Sequence, residues 1–343
     1  MSRRPTIVDL ARHAGVSVAT VDRVLNKRHP VREETARRVL GAAEAIGFHA
    51  TSLLKQRLDP DAPPRTFGFV LQKQSHDFYQ TLAAALTEAA RNAPGVRGRA
   101  VVEFAADLTP AAITAMLASV GARSDAVAVV TVDHPSITAA VEELGRRGIP
   151  TFALLTGLTA PARAGYIGID NRKAGRMAAW AIARTAQRPG DVALIVGSHR
   201  YLGHELREIG FRSYFRENAP AFRVLDTLMN LEDRRITHEA TLDLLKKHGD
   251  LAGICVAGGG MEGVIDALRE EGRAGSLSVV VNELTPESRS ALVDEIVTLV
   301  IATPVRLLAE RTVEAMCQRI RGDGPEGAGE LFLPFDLYTS ENI

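Results

Sequence analysis

From residue 66 onward, short β-rich runs alternate with amphipathic helical runs, and nothing else in the 343-residue chain restricts its fold as strongly. The β-rich runs cover 67–71, 100–104, 126–132, 151–155, 166–169, 192–196, 222–225, 253–257 and 278–281. Helical runs separate them, as where Phe78, Leu82, Leu86 and Ala89 share one helix face. Strands spaced by whole helices pair in parallel, with helices covering both faces of the sheet. Nine such strands predict two sheets and hence two lobes. No short-period repeat or low-complexity tract interrupts the pattern.

The first 48 residues read differently, as three short helices with no strand. Thr6 followed by Asp9 resembles a capping box, and Leu10, Ala11 and Ala14 form an apolar stripe that ends at Gly15. Ser17 is a natural N-cap for a second helix whose inner face is Val21, Val24 and Leu25. So short a turn between two helices is helix-turn-helix spacing. A third helix carries Ala36, Val39, Leu40, Ala43 and Ile46 and stops at Gly47. Residues 49–65, rich in Pro and Asp toward their end, read as a linker with at most two helical turns. The expected architecture is an all-α helix-turn-helix headpiece (1–48), a linker (49–65) and a two-lobed α/β body (66–343). Lobe one is assigned 66–168 and 290–322, and lobe two 169–288 and 325–343.

Charge refines this division. Formal net charge is zero, which taken alone argues against a nucleic-acid partner. Residues 1–58, however, hold eleven Lys or Arg against five acidic residues, a balance of +6 that leaves −6 on the remainder. Cys255 and Cys317, the only cysteines, offer neither a disulfide framework nor metal-ligand spacing, so no cofactor or metal is expected. No apolar stretch is long enough to span a bilayer, and no apolar segment precedes the first helix, so the expected setting is cytoplasmic, beside the nucleoid, without a membrane partner.

The run TIVDLARHAGVSVATVDRVLN at 6–26 closely resembles the headpiece of lactose-repressor-family regulators, and the match continues through 31–40 to Gly47 and Phe48. More loosely, Ile169-Asp-Asn171, Arg207-Glu-Ile-Gly-Phe211 and Val279-Val-Val-Asn-Glu283 resemble the same family's periplasmic-binding-protein-like core. The resemblance implies a transcription regulator, most simply a repressor, whose second helix enters the major groove of double-stranded DNA. Only that groove presents a distinct pattern for each base pair. By position, Val18, Ala19 and Arg23 face base edges, with Arg23 suited to a bidentate bond to guanine or, otherwise, to a phosphate. Thr6, Ser17, Thr20 and Asn26 read as caps or phosphate contacts that set register. Asp22 departs from the family's usual serine and would repel phosphate unless paired. The family's hinge leucine, which wedges into the minor groove, is replaced by Arg57 on direct counting, with Leu54 or Leu58 as alternatives in another register.

In open parallel sheets the ligand crevice lies beyond the carboxyl ends of the strands. The effector candidates are therefore Asp77, Phe78, Tyr79, Asp133, Asp170, Asn171, Arg207, Glu262, Asn282 and Glu283, a set suited to a sugar, polyol or sugar acid. Arg207 also matches the family's effector-binding arginine. Plainer roles stand beside these: Asp170-Asn171 as an N-cap, Phe78 as a core residue, Arg207 as a surface partner of Glu205 or Glu208. At Ile301-Ala-Thr-Pro304 the family's polar ligand contacts are replaced by Ala302 and Thr303.

Two rival readings arise. Gly258-Gly-Gly260-Met-Glu-Gly263 satisfies G-x-G-x-x-G after a strand, with Glu283 about 20 residues on, as in NAD-dependent oxidoreductases. Those enzymes carry the fingerprint on the first strand of a cofactor domain, and no catalytic pair accompanies it here. The body also resembles a transport-type solute-binding protein, against which the fused headpiece argues. One headpiece reads too few bases for genomic specificity, so a palindromic operator and a homodimer are expected; no leucine heptad tail follows residues 331–335 to build a tetramer.

Overall fold

A computed structural model describes residues 5–26, 31–48, 54, 62–323 and 329–343. Helix α1 (Ile7–Ala14) begins at Thr6, whose Oγ1 accepts from the Asp9 amide at 3.3 Å while the Asp9 carboxylate accepts from the Thr6 amide at 2.9 Å. Gly15 then turns the chain at φ 62°, a left-handed conformation that glycine adopts without steric cost. At the start of α2 (Val18–Asn26) the Ser17 hydroxyl accepts from the Thr20 amide at 3.1 Å. Helix α3 (Glu33–Ala45) closes the unit. Leu10, Ala14, Val21, Val24, Leu25, Val39, Ala43 and Phe48 form one buried cluster, and fully buried Leu54 joins it.

In the body, sheet one has the order β12-β5-β4-β3-β1-β2, built from β1 (Pro64–Gln72), β2 (Arg97–Ala105), β3 (Ala126–Val129), β4 (Thr151–Leu154), β5 (Gly165–Ile169) and β12 (Gly329–Leu333). Sheet two runs β13-β11-β10-β9-β6-β7, built from β6 (Asp191–Val196), β7 (Arg223–Val224), β9 (Leu251–Val256), β10 (Ser278–Asn282), β11 (Leu299–Ala302) and β13 (Asp336–Tyr338), with β8 (Leu228–Met229) also on β6. Every pairing is parallel except β11 with β13. Helices α4 (Asp77–Arg91) and α12 (Val305–Arg321) cover one face of sheet one, and α5 (Pro110–Gly121) and α6 (Pro135–Arg146) the other. Helices α7 (Asn171–Thr185) and α8 (Leu202–Asn218) cover one face of sheet two. On its other face lie α9 (Arg234–Lys247), α10 (Met261–Glu270) and α11 (Pro286–Val293).

All nine expected strands are present, but the expected lobe limits are corrected in two places. Residues 290–302, assigned to lobe one, belong to lobe two: Ala291, Leu292, Ile296 and Val300 enter its core and β11 pairs with β10. Residues 329–333, assigned to lobe two, add β12 to the edge of sheet one beside β5. The chain thus crosses between lobes three times, after β5, after β11 and after β12. Apolar patterning shows that such a segment pairs, not which of two sheets it joins.

Helices α7 and α8 touch backbone to backbone. A Cβ on Gly175 would lie 2.0 Å from the Arg207 carbonyl oxygen, and one on Gly210 would lie 2.1 Å from that of Arg172. Two glycines on facing helices therefore bring Arg207 close to the first turn of α7.

Candidate functional site

Where the carboxyl ends of the two sheets face each other, a cavity of about 110 Å³ opens between the lobes. Its central side chain is Arg207, 8 % exposed. Nε donates to Asn171 Oδ1 at 2.8 Å and Nη1 to the Ala257 carbonyl at 2.9 Å. Asn171 in turn donates through Nδ2 to the Leu155 carbonyl and to the Tyr166 hydroxyl, 3.0 and 3.1 Å away. A chain of polar contacts from lobe one thus fixes the guanidinium plane. Nη2 makes no hydrogen bond among the described residues and is not sealed from solvent, so its donors face the cavity.

Two glutamates share this wall, both held at positive φ, 54° for Glu232 and 69° for Glu283. Non-glycine residues tolerate that region only where their surroundings enforce it, and such strain gathers at functional sites. Both Glu283 oxygens accept from Thr303, Oε2 from the amide at 2.9 Å and Oε1 from the hydroxyl at 2.7 Å, and burial pushes its carboxyl pKa up. Thr303 follows β11, so this pair sits on a crossover between lobes. Glu232 is held by Asn230, whose Oδ1 accepts from the Glu232 amide at 2.9 Å and whose Nδ2 donates to Thr237 Oγ1 and the Gly259 carbonyl. Beside it, burial pushes the pKa of His204 down to about 4, so the imidazole is neutral near pH 7.

Tyr79 and Tyr201 are buried, which raises both phenol pKa values and keeps the hydroxyls protonated. The Phe78 ring meets that of Tyr79 edge-on at 5.3 Å. At the cleft mouth Lys73 Nζ, from lobe one, donates to the carbonyls of Leu231 and Glu232 in lobe two at 3.0 and 3.4 Å.

The headpiece presents a second surface. Val18 (45 % exposed), Ala19, Arg23 and Asn26 are exposed on α2, opposite buried Val21, Val24 and Leu25. Asp22 is paired, though not with an arginine: it accepts from Asn26 Nδ2 at 2.7 Å.

The model for bacterial regulatory proteins of the lacI family matches residues 6–51, and that for a periplasmic binding protein domain matches 67–324. The chain belongs to the lacI family. This regulator is 26% identical over 332 residues to an uncharacterized HTH-type transcriptional regulator in the aml 5′ region of Streptomyces limosus, covering 92% of this chain and 88% of that one. It is 25% identical over 339 residues to the HTH-type transcriptional regulator reg1 of Streptomyces lividans, covering 96% and 94%. GanP, a glucose-galactose binding protein from Geobacillus stearothermophilus, shares the fold at TM-score 0.74 and 18% identity, over 82% of this chain and 99% of that one. The family consists of DNA-binding transcription regulators with a ligand-binding domain, not of enzymes.

Of the expected effector residues, Asp77, Phe78, Tyr79, Asn171, Arg207, Glu262, Asn282 and Glu283 line the cavity of the regulator. Asp133 and Asp170 do not. Asp133 is engaged by the Thr159 amide and hydroxyl at 3.0 and 2.8 Å, and Asp170 caps α7 by accepting from the Lys173 amide at 3.0 Å. The surface role weighed for Arg207 falls away, since Glu208 pairs instead with Arg212 at 2.8 Å. In the headpiece, Leu54 is a core residue here and not an exposed wedge, because burial removes its apolar surface from water. Arg57 and Leu58 lie outside the described residues.

Sequence reasoning missed Gln72, Thr156, Tyr201, His204 and Glu232 on the cavity wall. Glu232 follows a two-residue strand that has no readable period. The glycine run carried the missing signal, because it is a packing device. A Cβ on Gly258 would fall 2.8 Å from the His204 ring, and one on Gly260, at φ 88°, would fall 2.5 Å from Asn230 Nδ2. A Cβ on Gly263 would fall 2.2 Å from the Arg234 carbonyl oxygen between α9 and α10. Close approach of side chains and a neighbouring helix explains these glycines without a dinucleotide.

Proposed function

We propose that this regulator binds a two-fold symmetric operator as a homodimer, most simply as a repressor, and that a sugar or polyol in the inter-lobe cavity sets its DNA affinity. The observation that carries the reading is Arg207: buried, fixed by Asn171 and Ala257, with Nη2 open to the cavity. A guanidinium so positioned suits oxygen acceptors on a small ligand, and the Phe78 and Tyr79 rings beside it suit the apolar face of a sugar ring. The sugars bound by two proteins of similar fold point the same way. A solute-binding protein from Burkholderia graminis is in complex with D-arabinose, and one from Actinobacillus succinogenes with D-allose. Arg23, Val18 and Ala19 read base edges on this proposal, and the +6 charge of residues 1–58 attracts phosphate.

A ligand that touches both lobes favours the arrangement in which they meet, and this biases the linker that carries the headpieces. DNA and ligand must then alter each other's affinity by the same factor. For the dimer, Val102 and Phe104 of edge strand β2, with Ala83, Ala84 and Thr87 of α4, form an open patch of small and apolar side chains flanked by the charged Glu88 and Arg91, a surface suited to a second copy. Sedimentation at micromolar concentration should give a dimer; a stable monomer with and without DNA removes that part of the reading. The ligand reading is tested by a thermal-shift screen of sugars and polyols on the full chain, since a ligand of the folded state raises its melting temperature. A flat response across the screen counts against it.

A further inference from the structure

Glu232 is the one carboxylate of the cavity wall that is both deeply buried and incompletely engaged. Its side chain is 10 % exposed, and one oxygen, Oε1, accepts only the Gly259 amide at 3.3 Å. Oε2 makes no hydrogen bond among the described residues and is not sealed from solvent. His204 Nε2 stands 3.8 Å from Oε1, but that imidazole is uncharged near pH 7. The Lys73 ammonium binds the carbonyls of Leu231 and Glu232 and forms no ion pair with the carboxylate. A buried carboxylate with no cation is costly, and the fold nevertheless enforces it through consecutive positive-φ residues Leu231 and Glu232, the Asn230 bracket and close packing against Gly197 and Gly259.

The rest of the wall leans the same way. Asp77, Glu232, Glu262 and Glu283 line the cavity against a single fixed cation, Arg207. Among the charged side chains of the lining the surplus is therefore negative. A carboxylate-bearing ligand meets repulsion from the glutamates, and a neutral hydroxyl gives Glu232 a single hydrogen bond. A protonated amine adds to that bond the attraction of opposite charges at close range.

We propose that the effector carries a basic nitrogen seated on Glu232, with its hydroxyl oxygens on Arg207: an amino sugar or amino polyol. This rests on the reading of the cavity as a polyol site and narrows it. The test measures affinities of the whole chain by calorimetry for matched sets: glucosamine, galactosamine and mannosamine, each with its parent hexose, its N-acetyl derivative and the corresponding uronic acid. In at least one set the amine should bind about tenfold or more tightly than the hexose, with the uronic acid weakest. Glu232→Gln, which keeps the shape and removes the charge, should erase that preference by lowering the amine affinity far more than the hexose affinity. Amines no better than hexoses, or a preference that survives in E232Q, overturns the proposal alone. Failure of every compound to bind overturns the polyol reading and this proposal together. The wild-type comparison does not depend on whether the variant folds.

Discussion

The two lobes contribute unequally to the cavity between them. Lobe two supplies the charged Arg207, Glu232, Glu262 and Glu283 with His204 and Tyr201; lobe one supplies the Phe78 and Tyr79 rings, Val130, Leu155, the polar Gln72 and Thr156 and, at the rim, exposed Asp77. Lobe two also holds most of its polar groups by internal bonds, such as those of Asn230 to Gly259 and of Arg207 to Ala257. A division of labour follows. Lobe two carries most of the charged groups of the cavity, and lobe one faces them with the Phe78 and Tyr79 rings.

The largest effect is expected at Arg207. Arg207→Ala removes the fixed cation and leaves Asn171 Oδ1 without its donor, so effector affinity should fall about a hundredfold or more, near 3 kcal/mol. Calorimetry with a ligand from the screen reads this; a loss below tenfold means that lobe two does not dominate recognition.

Acid should weaken the receptor lobe itself. The pKa of His204 lies at about 4 when folded against an ordinary 6.5, so the unfolded chain takes up a proton that the folded chain refuses as pH falls between those values. Stability therefore drops over that window by about 3 kcal/mol, the loss being complete near pH 4. Glu283, with a raised pKa, acts in the opposite sense, so the His204 share is the slope that His204→Gln removes in urea unfolding series at several pH values. An unchanged slope in H204Q contradicts this account.

On the lobe-one side the effects should be smaller. Phe78→Ala should weaken effector binding by about fivefold, on the order of 1 kcal/mol, through loss of aromatic contact. Lys73→Met should cost about twofold, because its contact across the mouth is largely exposed to water. If either exceeds the effect of R207A, the division of labour is reversed.

How much of this was legible differs by region. In the headpiece, the Thr6 cap, the Gly15 turn and the inward Val21, Val24 and Leu25 follow from residues within a turn of one another, so the sequence displays them directly. In the body, Asn171, Asn282 and Glu283 could be found because strands announce where they end, and Arg207, inside α8, through its match to the family's effector-binding arginine. Glu232 and His204 could not, since what brings them together is tight packing of the 230–232 turn against Gly197, Gly258 and Gly259, far apart in the chain. Asp133 and Asp170 stood at the expected strand ends, but local partners claim their oxygens. The limits of the lobes escaped for a similar reason, because edge strands β11 and β12 choose their sheet through long-range pairing.

The proposed function ties the two surfaces together through control of DNA binding by an occupied cleft. It is tested most directly by measuring operator affinity, on DNA selected by the full-length protein, for wild type and Arg207→Ala with and without a cleft ligand. Ligand should shift wild-type operator affinity by about 5- to 150-fold, as couplings of 1–3 kcal/mol give. R207A should bind the operator like wild type without ligand and show no shift at the same ligand concentration. A wild-type affinity indifferent to every ligand that binds the cleft, or an R207A variant that still responds fully, would contradict this coupling.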